Sequence, residues 1–210
     1  MKTLPEIYQI LDILKSKDPN PKSELNYHNA FTLLVAIVLS AQSTDKGVNK
    51  ATCELFKIAD TPQKMLDLGI DELKKHIKTI GLYNNKAKNI MELSARLVKD
   101  YDNEVPSERE ALESLPGVGR KTANVLLNVW WNHPTVAVDT HVLRLAKRLD
   151  LSDGTTPLAV ENDLNKLSDD YKLHLNHWLV LHGRYICKAQ KPNCSACPIF
   201  KHCNSSDKQL

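Results

Sequence analysis

The chain has 210 residues, of which 42% are hydrophobic and 25% are charged, as in an ordinary soluble globular protein. Its longest apolar run, Leu33–Leu39, has seven residues, far short of the ~20 that a transmembrane helix needs. The N-terminus lacks the apolar region of a signal peptide, so we expect an intracellular, cytoplasmic protein.

The formal net charge is only +3, but the basic residues are unevenly distributed. Between Tyr171 and Ser206 there are five lysines or arginines, four histidines and no acidic residue. A basic surface of this kind suits an anionic partner such as nucleic acid, although a solvated basic tail would look the same.

The apolar residues recur with the period of an α-helix nearly throughout the chain. Thr61-Pro62 is typical of a helix start, and Gly81 is expected to end a helix. A further helix is predicted over Asn85–Lys99 from its apolar stripe, and Ser107–Glu110 has the pattern of a capping box that opens a helix to Leu115.

Two more stripes follow the i, i+3, i+4, i+7 pattern, one from Ala123 to Trp130 and one from Val142 to Leu149. No alternating run is long enough for a sheet strand. The predicted fold class is therefore all-α.

The segment Leu115–Lys121 joins two of these helices and contains Gly117 and Gly119. Glycines at this spacing allow a tight turn, after which the free N–H groups at the start of the next helix can hold a phosphate. An ordinary helix–turn–helix corner explains the segment equally well.

Lys121 and Asp139 are the candidate reactive residues. Lys121 lies away from the apolar stripe of its helix, on a face shared with Asn124 and Asn128, where a lysine is usually only solvated. Asp139 lies where an N-cap belongs, and capping alone would explain it.

Four of the five cysteines occur within seventeen residues, as Cys187-x6-Cys194-x2-Cys197-x5-Cys203. A disulfide framework is not expected in an intracellular protein, so a metal site is favoured. Structural zinc and an iron–sulfur cluster both fit this spacing. Cys53 lies apart from the others, and we expect it to be a buried structural thiol.

These elements together resemble the endonuclease III family of the helix-hairpin-helix glycosylase superfamily. The resemblance covers nearly the whole chain, and the order and separation of its segments agree as well. The matching segments are Leu39–Asp45, Ile80–Asn84, Leu115–Asn124, Ala137–His141 and His177–Arg184.

The resemblance implies a fold of two all-α domains with a DNA groove between them. A six-helix domain with the helix-hairpin-helix would span residues 21–135, and residues 1–20 would pack with residues 136–210. It also implies that the four cysteines of Cys187–Cys203 bind a [4Fe–4S] cluster.

Site residues carry over from the family as expectations. Lys121 would be the nucleophile and Asp139 the essential acidic residue, while Gln42 and Leu82 would fill the gap left by an extruded nucleotide. Leu82 could instead be the apolar contact of a helix C-cap. Further DNA contacts are expected at Gly117, Gly119, Arg120, His141, Arg184, Lys188 and Lys191.

The activity implied is that of a bifunctional DNA glycosylase and AP lyase of base-excision repair, active as a monomer on oxidised pyrimidines in double-stranded DNA. A monofunctional adenine glycosylase is the nearest alternative, but its pattern lacks a lysine at position 121 and adds a C-terminal domain. A non-enzymatic DNA-binding or redox-sensing module would leave Lys121 and Asp139 without a use, and a zinc-binding transcription factor is weaker still.

Overall fold

The computed structural model describes residues 1–209, in which the backbone forms eleven α-helices, two short 3₁₀ turns and no β-strand. The all-α prediction is confirmed. The helices are α1 (Leu4–Lys17), α2 (Ala30–Ser40), α3 (Asp45–Ile58), α4 (Pro62–Leu68), α5 (Ile70–Ile77), α6 (Tyr83–Tyr101), α7 (Arg109–Glu113), α8 (Arg120–Trp131), α9 (Thr140–Arg148), α10 (Pro157–Leu164) and α11 (Asp169–Tyr185).

The described residues fall into two compact units. The central unit, Ser23–Trp131, contains α2 to α8. The terminal unit combines Met1–Lys22 with the chain from Asn132 onward and contains α1 and α9 to α11. Of the helices described in residues 1–209, none is both long and apolar enough to cross a membrane.

Helix α2 forms the centre of the core of the central unit. Every residue from Phe31 to Leu39 is buried, and the helix packs against α3, α6 and α8. Its start is fixed by a reciprocal cap in which Asn29 Oδ1 accepts from the Thr32 N–H at 2.7 Å and Thr32 Oγ1 accepts from the Asn29 N–H at 3.1 Å. Each large apolar side chain buried here contributes about 1.5–3 kcal/mol.

The terminal unit is built around α11, which packs against α1 and α9. Gly183 allows α11 to approach α9 closely, because a Cβ placed on it would lie 3.0 Å from Cβ of His141. Trp178, in the middle of α11, donates its indole N–H to the Asp18 carbonyl at 2.8 Å. The glycine therefore sets the spacing of the two helices that carry His141 and Arg184.

Several local predictions can be compared with the helix ends. The start at Thr61-Pro62 is confirmed, since Thr61 Oγ1 accepts from the Lys64 N–H at 3.3 Å. The stripe from Asn85 to Lys99 lies within α6, as predicted. Gly81 does not end a helix, because α5 ends at Ile77.

The predicted capping box at Ser107 is wrong. The hydroxyl of Ser107 donates to Glu108 Oε1 at 3.1 Å, and the N-cap of α7 is Glu108, which makes no side-chain cap hydrogen bond. The helix consequently begins later than predicted, at Arg109.

Candidate functional site

The turn between α7 and α8 requires glycine at position 117. Gly117 has a φ of +78°, in the left-handed region, and a Cβ placed on it would lie 2.8 Å from Nδ2 of Asn89. Val118 is buried and donates its N–H to the Leu115 carbonyl at 3.1 Å, which closes the turn. The fold of the turn itself therefore explains Gly117.

Gly119, directly before α8, is different. Its φ is not positive, and a Cβ placed on it would have no protein atom within 4 Å. A side chain would thus fit the folded chain without strain. The start of a helix presents N–H groups that can bind an anion, and the open space beside Gly119 lies at the start of α8.

Lys121 is the second residue of α8 and its side chain is exposed. Arg120 beside it is also exposed. We expected Asn124 and Asn128 to share a solvated face with Lys121, and this expectation is wrong, because both asparagines are buried. The exposed part of the face is thus limited to the start of the helix, next to the glycine turn.

Gln42 and Leu82 lie close together in the central unit, although forty residues separate them in the chain. A Cβ placed on Gly81 would be 3.8 Å from the Gln42 carbonyl oxygen. Both residues are exposed, Leu82 with 60% of its surface accessible. Leu82 is the N-cap of α6 with a φ of +58°, so the alternative interpretation as a C-cap contact is wrong.

The loop that carries Gln42 rests on a buried lysine that the sequence analysis missed. Lys86 of α6 is 5% exposed, and its Nζ donates to the carbonyls of Leu39 and Ala41 at 2.9 and 2.5 Å and to Ser43 Oγ at 3.1 Å. Burial lowers the pKa of Lys86. A signal was present in the sequence, since Lys86 lies four residues before Ile90 on the apolar stripe of α6.

Backbone strain in the described chain concentrates at the predicted contact residues. Within residues 1–209, the non-glycine residues with positive φ are four aspartates or asparagines and three others. Asp and Asn tolerate this conformation, whereas other side chains lose about 1–2 kcal/mol. The three others are Gln42, Leu82 and Lys191.

Asp139 caps α9 as the sequence predicts. Its Oδ1 accepts from the N–H groups of His141 and Val142, both at 2.8 Å. The side chain is half-buried, and both cap bonds use the same oxygen. The cap therefore holds the carboxylate in a fixed orientation while the second oxygen, Oδ2, takes no part in it.

Burial lowers the pKa of His141 and so favours the uncharged form of its ring. Its Nδ1 lies 3.1 Å from Nη2 of Arg144. A guanidinium can only donate, so Nδ1 accepts and the ring proton is on Nε2. Arg184, which lies near enough to lower the pKa of His141 further, is half-buried at the end of α11.

Two arginines on one face of α9 support the segment that begins at Cys187. Arg144 donates to the carbonyls of Gly183 and Cys187 at 2.9 and 3.0 Å. Arg148 donates to Cys187 Sγ at 3.4 Å, to the Lys188 carbonyl at 2.7 Å and to the Ala189 carbonyl at 3.1 Å. The sequence analysis missed both residues; their i, i+4 spacing is the signal that was available.

Polar N–H groups lie against the sulfurs of this cysteine segment. Besides Arg148 on Cys187, the backbone N–H of Gln209 donates to Cys194 Sγ at 3.4 Å, and Nε2 of His182 lies 3.6 Å from Cys197 Sγ. Such contacts favour sulfur that carries negative charge.

The four thiols of the segment also interact with one another. Burial, together with the smaller effect of the neighbouring thiols of Cys187, Cys203 and Cys194, raises the pKa of Cys197 to about 11. Among the residues described, no three His, Cys, Asp or Glu side chains are grouped so that they could hold one metal ion.

Cys53 is exposed, so the prediction of a buried thiol is wrong. It lies outside the buried face of α3, which is made by Val48, Ala51, Thr52, Leu55 and Phe56. The remaining predicted contacts, Lys188 and Lys191, are both exposed.

Comparison with known proteins gives one consistent result. The profile of the HhH-GPD superfamily of base excision DNA repair proteins matches residues 35–169. The chain is 55% identical to endonuclease III of Rickettsia conorii over 199 residues, which are 94% of this chain and 95% of the relative. It is 51% identical to endonuclease III of Haemophilus influenzae over 201 residues, 95% of each chain.

A solved structure is similar over the same length. It is a trapped covalent intermediate of endonuclease III with DNA, with a TM-score of 0.91, 44% identity and coverage of 97% of each chain.

Proposed function

The chain belongs to the endonuclease III family of HhH-GPD base excision repair proteins, and we propose that it removes oxidised pyrimidines from double-stranded DNA and then cleaves the strand. One observation carries this proposal: Lys121 is exposed at the start of α8, directly after the open space beside Gly119. We also propose that it acts as a monomer in the cytoplasm, at the nucleoid.

Lys121 is the proposed nucleophile. After the damaged base is extruded from the stack, the unprotonated Nζ attacks C1′ of the sugar, and the base departs with the electrons of the glycosidic bond and takes up a proton. Ring opening of the sugar converts the adduct into a Schiff base. Its iminium acidifies the C2′ proton, whose loss expels the 3′ phosphate by β-elimination, and water then releases Lys121.

Asp139 is the proposed acidic partner in base excision. Positive charge develops on the sugar as the glycosidic bond breaks, and a fixed carboxylate stabilises it. The cap bonds to the N–H groups of His141 and Val142 hold Asp139 in place before the substrate arrives. A group oriented in advance does not have to reorganise during the reaction.

The proposed phosphate contact is made by the backbone beside Gly119. N–H groups at a helix start bind phosphate without reading the base, which suits an enzyme that scans any sequence. Arg120 would add charge on the central unit, and His141, Arg184, Lys188 and Lys191 on the terminal unit.

Gln42 and Leu82 are the proposed residues that fill the gap in the stack. Their neighbouring positions, their exposure and their left-handed backbone support this role, because strain persists where the surrounding structure enforces it for function. Filling the vacated space would offset part of the few kcal/mol needed to extrude a nucleotide.

A [4Fe–4S] cluster is the cofactor that we propose for Cys187, Cys194, Cys197 and Cys203. The effect of the other three thiols on the pKa of Cys197 and the N–H groups against Cys187 and Cys194 fit a tetrathiolate site. The sequence spacing Cys187-x6-Cys194-x2-Cys197-x5-Cys203 matches the cluster loop of the family, and this match favours a cluster over a structural zinc ion.

The cluster's proposed role is structural. When bound it would supply four bonds that cross-link the Cys187–Cys203 segment, and Arg144 and Arg148 anchor the start of that segment to α9. Lys188 and Lys191 would then be presented at fixed positions.

We expect Lys121→Gln to bind lesion-containing DNA and release almost no base, because the side chain keeps its length but loses the nucleophile. Asp139→Asn keeps an N-cap acceptor and should fold, but its rate of base release should fall by about a hundredfold or more. On DNA that already lacks the base, Asp139→Asn should retain more strand cleavage than it does on an intact lesion. Single-turnover assays that resolve base release from strand cleavage measure both effects.

A Lys121→Gln enzyme with wild-type rates would refute the assignment of the nucleophile. An Asp139→Asn enzyme with normal base release would reduce Asp139 to a helix cap.

Substitutions at Gly117 and Gly119 should affect stability and DNA binding differently. Gly119→Ala should leave the melting temperature unchanged or slightly higher, because alanine reduces the entropy of the unfolded chain, yet it should weaken binding to DNA of any sequence. Gly117→Ala should destabilise the protein by at least about 1–2 kcal/mol, because its φ is positive and Asn89 occupies the space. Thermal melting and fluorescence anisotropy at several salt concentrations provide the comparison. Undiminished DNA affinity in Gly119→Ala would contradict the proposed phosphate contact.

Removing one cluster ligand should disrupt the terminal unit. Cys194→Ala should lose iron, the broad visible absorption near 410 nm and most of the soluble yield, whereas Cys53→Ala, at an exposed cysteine, should lose none of these. Iron analysis and visible spectra of the purified proteins test this. A soluble, iron-free Cys194→Ala that binds DNA tightly would refute the structural role.

A further inference from the structure

Lys86 connects the two proposed gap-filling segments. It projects from α6, whose N-cap is Leu82, and its Nζ contacts only the segment around Gln42, at Leu39, Ala41 and Ser43. An ammonium has three protons, and the structure offers it three oxygens. The buried ammonium of Lys86 therefore donates all three of its protons to the short segment from Leu39 to Ser43.

The contacts also complete the C-terminal end of α2. The last carbonyls of a helix have no partner within it, and the negative end of the helix dipole favours a nearby cation. Helix α2 has no basic residue in its last turn. Lys86 supplies the cation from a different helix, and in doing so fixes the chain at the point where Gln42 enters the left-handed region with a φ of +55°.

We infer that Lys86 is a positioning residue, which holds the Ala41–Ser43 loop so that Gln42 is ready to occupy the space of an extruded nucleotide. The inference rests on the gap-filling role proposed above for Gln42. Lys86 does not touch DNA in this account, because it is 5% exposed and its protons are engaged. Its action is through the backbone of its neighbours.

A purely structural lysine would give a different result. Loss of a core contact lowers the stability of the fold and affects all substrates alike. Loss of a positioning contact affects the substrates that need the gap to be filled, since a small displacement of a group that acts on the substrate can lower a rate by up to about a hundredfold.

The test compares one lesion in two duplexes. Ring-saturated thymine is placed opposite adenine in one and opposite an abasic-site analogue in the other, where no opposing base remains to be stabilised. Single-turnover base release is measured with the cluster-loaded, full-length protein. Lys86→Met should slow release from the paired lesion by about tenfold and change release from the unpaired lesion little.

Lys88→Met is the matched control, because Lys88 is exposed on the same helix and its ammonium lies 3.7 Å from Glu92. It should match the wild type on both duplexes. Ser43→Ala removes one acceptor without emptying the core and should show the same preference as Lys86→Met, reduced in size. If Lys86→Met does not yield folded protein, Ser43→Ala decides the question.

A double-mutant cycle separates this inference from the role on which it rests. In a Gln42→Ala background, Lys86→Met should slow the paired lesion no further, because both changes remove the same contribution. Equal slowing on both duplexes, additive losses in the cycle, or wild-type rates in Lys86→Met or Ser43→Ala would overturn the inference. A Gln42→Ala protein with wild-type rates on both duplexes would instead refute the gap-filling role itself.

Discussion

The proposed DNA contacts of the central unit depend on one face of α6. Leu82, Lys86 and Asn89 are separated by four and three residues, so they lie one above another along the helix. Leu82 presents its own side chain, and Lys86 holds the loop of Gln42. Asn89 packs against Gly117 of the turn before α8. Segments that are far apart in the chain are thereby supported by a single helix.

This support explains how unfavourable backbone conformations persist at exposed positions. Gln42 and Leu82 both have positive φ, although neither belongs to the residue types that tolerate it. A flexible loop would relax to a lower-energy conformation. Here the buried hydrogen bonds of Lys86 fix the chain on either side of Gln42, and Leu82 is continuous with a nineteen-residue helix. The strain is thus a consequence of packing, and it coincides with the residues that the family resemblance implies for DNA contact.

The sequence was sufficient for the fold class, because helical periodicity is a local property. The cap by Asp139 could be predicted in this way, since it involves only the next three residues. Lys86, Arg144 and Arg148 could not be assigned roles, because their partners lie between 39 and 47 residues away in the chain. The capping box at Ser107 failed for a related reason: a side chain with two possible partners is resolved only by the folded geometry.

The terminal unit shows a similar dependence on long-range contacts. The segment with the four cysteines proposed as cluster ligands has little apolar content, and two arginines hold its start against α9. Gly183 sets the distance between α9 and α11, and so also the positions of His141 and Arg184. His141 and Arg184 thus lie on helices that share the apolar core of this unit, whereas Lys188 follows a cysteine that the two arginines hold.

The central claim is that catalysis passes through a Schiff base on Lys121, and the most direct test identifies the amine itself. Wild-type protein is incubated with lesion-containing DNA and borohydride, the reduced adduct is digested, and the modified peptide is sequenced by mass spectrometry. The account predicts that the sugar is attached to Lys121. Attachment to the amine of Met1 or to another lysine, with Lys121 unmodified, would contradict it.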